Sequence, residues 1–212
     1  MYRPPFAPRP LHAAALLLGA TLLQPATAAT LVRYDFDDAN NFANIAENVA
    51  PHLTASIWRS LNGTLIAAAG NPGTGFALSA RSFNPSNSLS IVLTPEAGHM
   101  LRLDHVSFDL RASPTGPTAW RVTLNNTDIT AGRTHTTFTT ESVALNAFAS
   151  SEAVRFGLLG SGASSNAGSL RLDNVVFDGT LTAVPLPGAV TLFASALLGG
   201  ARRFTRRGAL KT

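Results

Sequence analysis

Leu101-Arg-Leu-Asp-His-Val-Ser-Phe-Asp109 and Leu170-Arg-Leu-Asp-Asn-Val-Val-Phe-Asp178 share one pattern, L-R-L-D-x-V-x-F-D. Apolar and polar residues alternate in both, as in a strand with one face in a core. The phase slips at the aspartate. Leu101 and Leu103 are odd while Val106 and Phe108 are even; Leu170 and Leu172 are even while Val175 and Phe177 are odd. A one-residue slip flips the buried face unless an extra residue absorbs it. The pattern predicts a bulge near Asp104-His105 and another near Asp173-Asn174, or two short strands per segment. The shared stretch is too short to establish a duplication.

Further alternating sets lie outward from these segments: Val32, Tyr34 and Phe36; Leu89, Ile91 and Leu93; Trp120, Val122 and Leu124; Val154, Phe156 and Leu158. Turn signals separate them at Asn62-Gly63, Asn71-Pro72-Gly73, Asn84-Pro85, Pro114 to Pro117 and Gly160 to Gly162. Strands at this spacing without a long helical pattern predict an all-β antiparallel sandwich over residues 29–182. Residues 40–60 fit either a short helix or an irregular loop.

Both ends of the 212-residue chain read as targeting matter. Residues 1–28 have the layout of a secretory signal peptide: Arg3 and Arg9, an apolar run from Ala13 to Leu23, and Ala26-Thr-Ala28 as a small-x-small cleavage site before Ala29. The competing reading is an uncleaved N-terminal helix, for which the run is too short to span a bilayer. At the other end, Val184-Pro185-Leu186-Pro187 precedes an apolar stretch, residues 188–201, and then Arg202, Arg203, Arg206 and Arg207. At about 1.5 Å rise per residue, 188–201 reaches about 21 Å as a helix, and about 27 Å counted from Val184, against a hydrocarbon thickness of about 30 Å. The span is marginal by length. The absence of charge and the arginines behind it favour a membrane helix with a cytoplasmic C-terminus. Pro185 and Pro187 disfavour helix and keep the preceding segment extended, a form that a membrane-embedded protease can grip without unwinding it.

The basic pI of 10.6 belongs to those ends. Residues 30–182 hold nine arginines, no lysine and twelve acidic residues, three net negative charges. A nucleic-acid-binding domain needs a basic face, so that class of partner is excluded. With no cysteine, disulfides, thiolate metal sites and Cys nucleophiles are excluded too.

The tail resembles the PEP-CTERM sorting signal of Gram-negative bacteria, in which a short Pro-x-Pro motif, a membrane helix and an Arg-rich end are handled by an exosortase. Leu186 stands where the name-giving motif has Glu. The stretch from Gly98 to Trp120, with Leu170 to Gly179 and the opening Tyr34-Asp-Phe36, resembles ectodomains often found ahead of such tails. Those are jelly-roll-like sandwiches, similar in outline to carbohydrate-binding modules. The resemblance implies a signal peptide (1–28), a sandwich ectodomain (29–182) and a sorting tail (183–207). It implies as partners the secretion machinery, an exosortase and the inner membrane in transit, with delivery to the cell surface or the extracellular polysaccharide matrix. An ordinary anchor that is never cut is the competing reading of the tail.

Catalytic signatures are missing. His52, His99, His105 and His135 show no HExxH or other tight spacing, and no G-x-S-x-G elbow occurs. Gly160 to Gly168 reads as a flexible loop, and Gly70 to Gly75 has the wrong glycine order for a dinucleotide site. Asp35, Asp37 and Asp38 near the first strand and Asp173 and Asp178 in the last would be neighbours in a jelly roll. Asp35, Asp37 and Asp173 form a candidate structural calcium set; the competing reading is a solvated acidic edge. Trp120 is in phase with Val122 and Leu124 and reads as core, which leaves Trp58 as the candidate exposed platform for a sugar. The expectation is a non-enzymatic exported protein. Its rivals are a carbohydrate-binding module, with aromatics on one open face, and a secreted hydrolase, with paired carboxylates in a cleft about 5–10 Å apart.

Overall fold

The alternating sets become strands with their apolar phase inward, except that Phe36 lies just past the end of the first strand and is buried from there. The computed structural model describes residues 28–38, 46–71 and 75–184. Described in chain order, the strands are β1 (Ala29–Tyr34), β2 (Asn48–Val49), β3 (Leu53–Ala55), β4 (Arg59–Ser60), β5 (Ile66–Ala69), β6 (Phe76–Ala80), β7 (Ser86–Pro95), β8 (His99–Ala112), β9 (Ala119–Leu124), β10 (Thr127–Arg133), β11 (Thr139–Ser150), β12 (Val154–Ser161) and β13 (Leu170–Ala183). No described residue is helical. In the described part of the doubtful stretch, residues 46–60, the chain forms β2, β3 and β4 and no helix.

Two antiparallel sheets face each other in a jelly-roll-like sandwich. One has seven strands in the order β11-β8-β13-β1-β2, with β6 also on β13 and β5 on β6. The other has six, in the order β10-β9-β12-β7-β3, with β4 also on β7. The first strand thus pairs with the last, Ala29 opposite Gly179 and Tyr34 opposite Val175.

Both predicted slips are bulges. On β8, Asp178 faces His105 while Gly179 faces Leu103, so Asp104 is the extra residue. On β13, Asp173 faces Asp109 while Val176 faces Ser107, and Asn174 turns to φ 46° to absorb the surplus. The disturbance reaches β11, where Ala144 faces His105 and Phe148 faces Leu103, with Asn146 and Ala147 at φ 53° and 55°. Leu101, Leu103, Val106 and Phe108 are consequently all buried despite the change of parity. Gly179 is required at this crossing, because a Cβ there would lie 2.0 Å from the carbonyl oxygen of Arg102.

The core between the sheets is closed by a run of rings. Tyr34 stacks on Phe36 at 5.9 Å, both meet Trp58 edge-on at 5.7 and 6.1 Å, and Trp58 meets Phe156, which meets Phe177 at 5.0 Å. Offset and edge-to-face pairs of this kind suit the ring quadrupoles. The Tyr34 hydroxyl donates to the carbonyl of Ser56 at 2.8 Å, and burial pushes its pKa up. Trp120 is buried against Phe108, as its phase predicts, and its Nε1 donates to the Arg133 carbonyl.

Trp58 corrects the sequence reading. It is 2 % exposed and sits at the centre of the aromatic run, so it is no sugar platform. The phase was hidden because Trp58 precedes a two-residue strand, and its ring partners come from β12 and from the segment at Tyr34–Phe36.

Candidate functional site

Alternation that buries one face of the six-stranded sheet turns the other outward, although Thr123, Ser90 and Gly157 on that outer face are themselves buried. On β9 the outward phase is Arg121 and Thr123; on β12 it is Arg155, Gly157 and Leu159; on β7 it includes Ser88 and Ser90. Register sets these in rows. Gly157 lies between Thr123 and Ser90, and Leu159 between Arg121 and Ser88. The result is a groove of about 330 Å³, with Leu61, Asn126 and Asp128 at its margins.

Gly157 makes the groove possible. A Cβ there would lie 2.5 Å from the Thr123 hydroxyl oxygen, so any side chain would fill the floor. Two guanidinium groups stand over this floor. Arg121 Nη1 donates to Asp128 Oδ2 at 2.9 Å, and Arg155 Nη2 donates to Ser90 Oγ at 3.1 Å. Leu61, 71 % exposed, adds one apolar contact. Planar guanidinium forks suit carboxylate or sulfate groups, and the half-buried Ser88 hydroxyl suits a sugar hydroxyl; Ser90 and Thr123 are buried, Ser90 accepting from Arg155 and Thr123 donating to the Gly157 carbonyl. Among the described residues no aromatic lines the groove, and Asp128 is its one carboxylate.

Four of the aspartates singled out in the sequence, Asp35, Asp37, Asp173 and Asp178, accept hydrogen bonds, and Asp37 lies near enough to Asp173 to act on its charge. Asp178 accepts from Thr30 Oγ1 at 2.9 Å. Asp35 Oδ1 accepts from the backbone N–H of Asp37, and Asp37 Oδ1 from that of Phe76. Asp173 is buried at the β13 bulge, where Oδ2 accepts from the Asn71 backbone at 2.7 Å and Oδ1 from the Asn174 backbone at 2.8 Å. Its cross-strand neighbour is Asp109. Asp109 accepts from Thr140 Oγ1 at 2.6 Å, Asn71 Nδ2 at 3.0 Å and Asn174 Nδ2 at 2.9 Å. These contacts tie the two strands to the loop at Asn71.

The two buried acids have opposite shifts. Burial raises the Asp173 carboxyl to about 6, helped by Asp109 and Asp37 and opposed by the backbone N–H groups of Asn71 and Asn174. Burial would raise Asp109 too, but hydrogen bonds from Thr140, Asn71 and Asn174 outweigh it and hold its pKa below 3.8. The folded chain therefore keeps the Asp173 proton until about pH 6, while the unfolded chain releases it near 3.8. This group's contribution to stability falls as pH rises through that window and is level above it. Asp109 contributes stability that is lost as pH falls through its ordinary range. Asp173→Asn will flatten the fall between about pH 4 and 6, measured as urea midpoints at both ends of the window. An unchanged slope in the variant would contradict the assignment.

Of the predicted sorting residues, Val184 is described. It is exposed, and its N–H donates to the Gly98 carbonyl at 2.8 Å just after β13 ends. Pro185, Leu186, Pro187, Arg202, Arg203, Arg206 and Arg207 lie outside the described residues, as does Ala26; so do the predicted signal-peptide and membrane helices. Ala28 and Ala29 are exposed at the start of β1.

No family model and no curated protein matches the chain. Among solved structures it is similar to the CBM22-1 xylan-binding domain of Xyn10C from Paenibacillus barcinonensis, at 11% identity and a TM-score of 0.44 over 74% of this chain and 96% of that one. It is also similar to a family 29 carbohydrate-binding module, at 13% identity and 0.41 over 72% and 90%. A third is the K3 cleaved adhesin domain of Lys-gingipain from Porphyromonas gingivalis, at 14% identity and 0.44 over 73% and 100%. All three scores are below 0.5, so no ligand or chemistry is carried over from them.

Proposed function

We propose that this is a non-enzymatic exported protein whose sandwich binds an anionic extracellular polysaccharide in the groove over Gly157. A signal peptide would take it across the inner membrane. Residues 188–201 would hold it there in transit, and processing near Pro185-Leu186-Pro187 would send it to the cell surface or matrix. The observation that carries the binding reading is the groove itself: a glycine-floored depression on the outer sheet face, edged by the exposed Arg121 and Arg155 with the half-buried Ser88 beside them. It calls for a ligand with both hydroxyl and acidic groups. A glycosidase reading finds one carboxylate in the groove, and that one accepts from Arg121.

Affinity electrophoresis tests this. The protein is run in gels containing a uronate-rich polysaccharide, a neutral glucan, or no polymer. Retardation by the uronate polymer, reduced by added salt, supports the proposal. Equal mobility in all three gels would remove the binding reading and leave a purely structural matrix protein.

A further inference from the structure

The geometry points to a second site, for a divalent transition cation of the zinc type, at His52, Glu96 and His99. Each of the three offers one ligand atom, and these atoms all lie within 4.8 Å of one another. Glu96 Oε2 is 2.9 Å from His52 Nδ1; the two imidazoles are stacked with centroids 4.3 Å apart and planes 11° from parallel, so the exposed His52 ring has to rotate out of the stack for both in-plane lone pairs to meet one ion. Two turns bring them together. His52 lies in the turn between β2 and β3, held at φ 63°, while Glu96 precedes the turn from β7 to β8 and His99 begins β8. The backbone joins the two turns: the Glu96 N–H donates to the His52 carbonyl at 2.9 Å, and the His99 N–H to the Glu96 carbonyl at 3.0 Å.

One atom has no partner. His99 Nδ1 is buried and makes no hydrogen bond. A buried polar atom left unpaired is costly, and a cation would answer it. Imidazole nitrogens select zinc, copper or nickel over calcium and magnesium, and two histidines with one carboxylate are an established zinc donor set. The His52 and Glu96 side chains are more than half exposed, which leaves water free to complete the coordination. The place of the ion suggests a clasp: His99 is the cross-strand partner of Ala183, the next residue donates to the Gly98 carbonyl, and His52 and His99 line a cleft of about 550 Å³ with Ala29. A bound ion would fix the end of the sandwich where the first strand enters and the last strand leaves.

The test is calorimetric titration of the full-length chain, in mild detergent at neutral pH, with zinc chloride, and absorbance of the cobalt-loaded protein. One zinc per chain at micromolar affinity or tighter is expected, with the visible bands of tetrahedral cobalt. His99→Ala and Glu96→Gln should each weaken binding roughly tenfold or more. His52→Gln, at an exposed side chain that leaves the fold intact, should do the same. The double variant His105→Ala/His135→Ala should bind like the wild type. No saturable binding, or binding that survives His52→Gln and His99→Ala, would overturn the proposal.

Discussion

Trp58→Ala will destabilise the sandwich by about 3–5 kcal/mol, the cost of truncating a large buried aromatic. The ring touches Tyr34, Phe36 and Phe156, which belong to both sheets, so its loss opens a cavity at the junction of the two layers. Total stability of a domain is about 5–15 kcal/mol, so the variant should lose a large share of it. Urea denaturation followed by far-ultraviolet circular dichroism measures the shift. Trp58→Phe is the informative partner. It keeps a ring in the gap and removes the indole Nε1, a buried donor with no hydrogen-bond partner. The gain from deleting that donor offsets part of the lost volume, and the net cost should be about 1 kcal/mol. If Trp58 were a sugar platform, Trp58→Ala would leave stability unchanged and abolish polysaccharide binding.

The double variant Arg121→Ala/Arg155→Ala will bind anionic polysaccharide roughly a hundredfold more weakly than the wild type. Each guanidinium is exposed, so a factor of about ten per arginine, or about 1.4 kcal/mol, is a reasonable scale. Arg121 is already engaged by Asp128, and that pairing competes with ligand. Asp128→Asn should therefore tighten binding, a change that mere loss of fold cannot produce. Lysine at position 121 would keep the charge but lose the fork, and should recover only part of the affinity. Calorimetric titration with a defined oligouronate measures all four proteins. Equal affinity in the wild type and the double variant would remove the groove from the account.

Much of the sandwich is legible in single strands, because alternation is a local property. Leu89, Ile91 and Leu93, or Val154, Phe156 and Leu158, announce their buried face without knowledge of any partner. Even the bulges at Asp104 and Asn174 are visible, since a parity slip within one strand has few physical remedies. Trp58 is not legible in this way. Its burial depends on Tyr34, Phe36 and Phe156, and the two-residue strand after it gives no period to read.

The groove is harder still. Arg121, Thr123, Arg155 and Gly157 belong to the outward phase of β9 and β12, which alternation labels only as solvent-facing. Their convergence needs the β9-β12-β7 order, and that order is set by pairings between distant segments. Gly157 in particular looks like a weak point in a strand until its neighbour Thr123 is known. The same holds for His52, Glu96 and His99, which share no motif spacing and meet only because two turns are joined by backbone hydrogen bonds. Asp109 is not legible as a partner of Asp173 either, because it lies on β8, between β13 and β11, and only the sheet order makes the two aspartates neighbours.

Intact-mass and terminal-peptide mass spectrometry of the protein recovered from the surface and matrix of its native host tests the export and sorting claim most directly. The account predicts an N-terminus at Ala29 and a C-terminus between Val184 and Gly188. A surface-located protein that retains Thr212 would contradict it and reduce the tail to a plain membrane anchor.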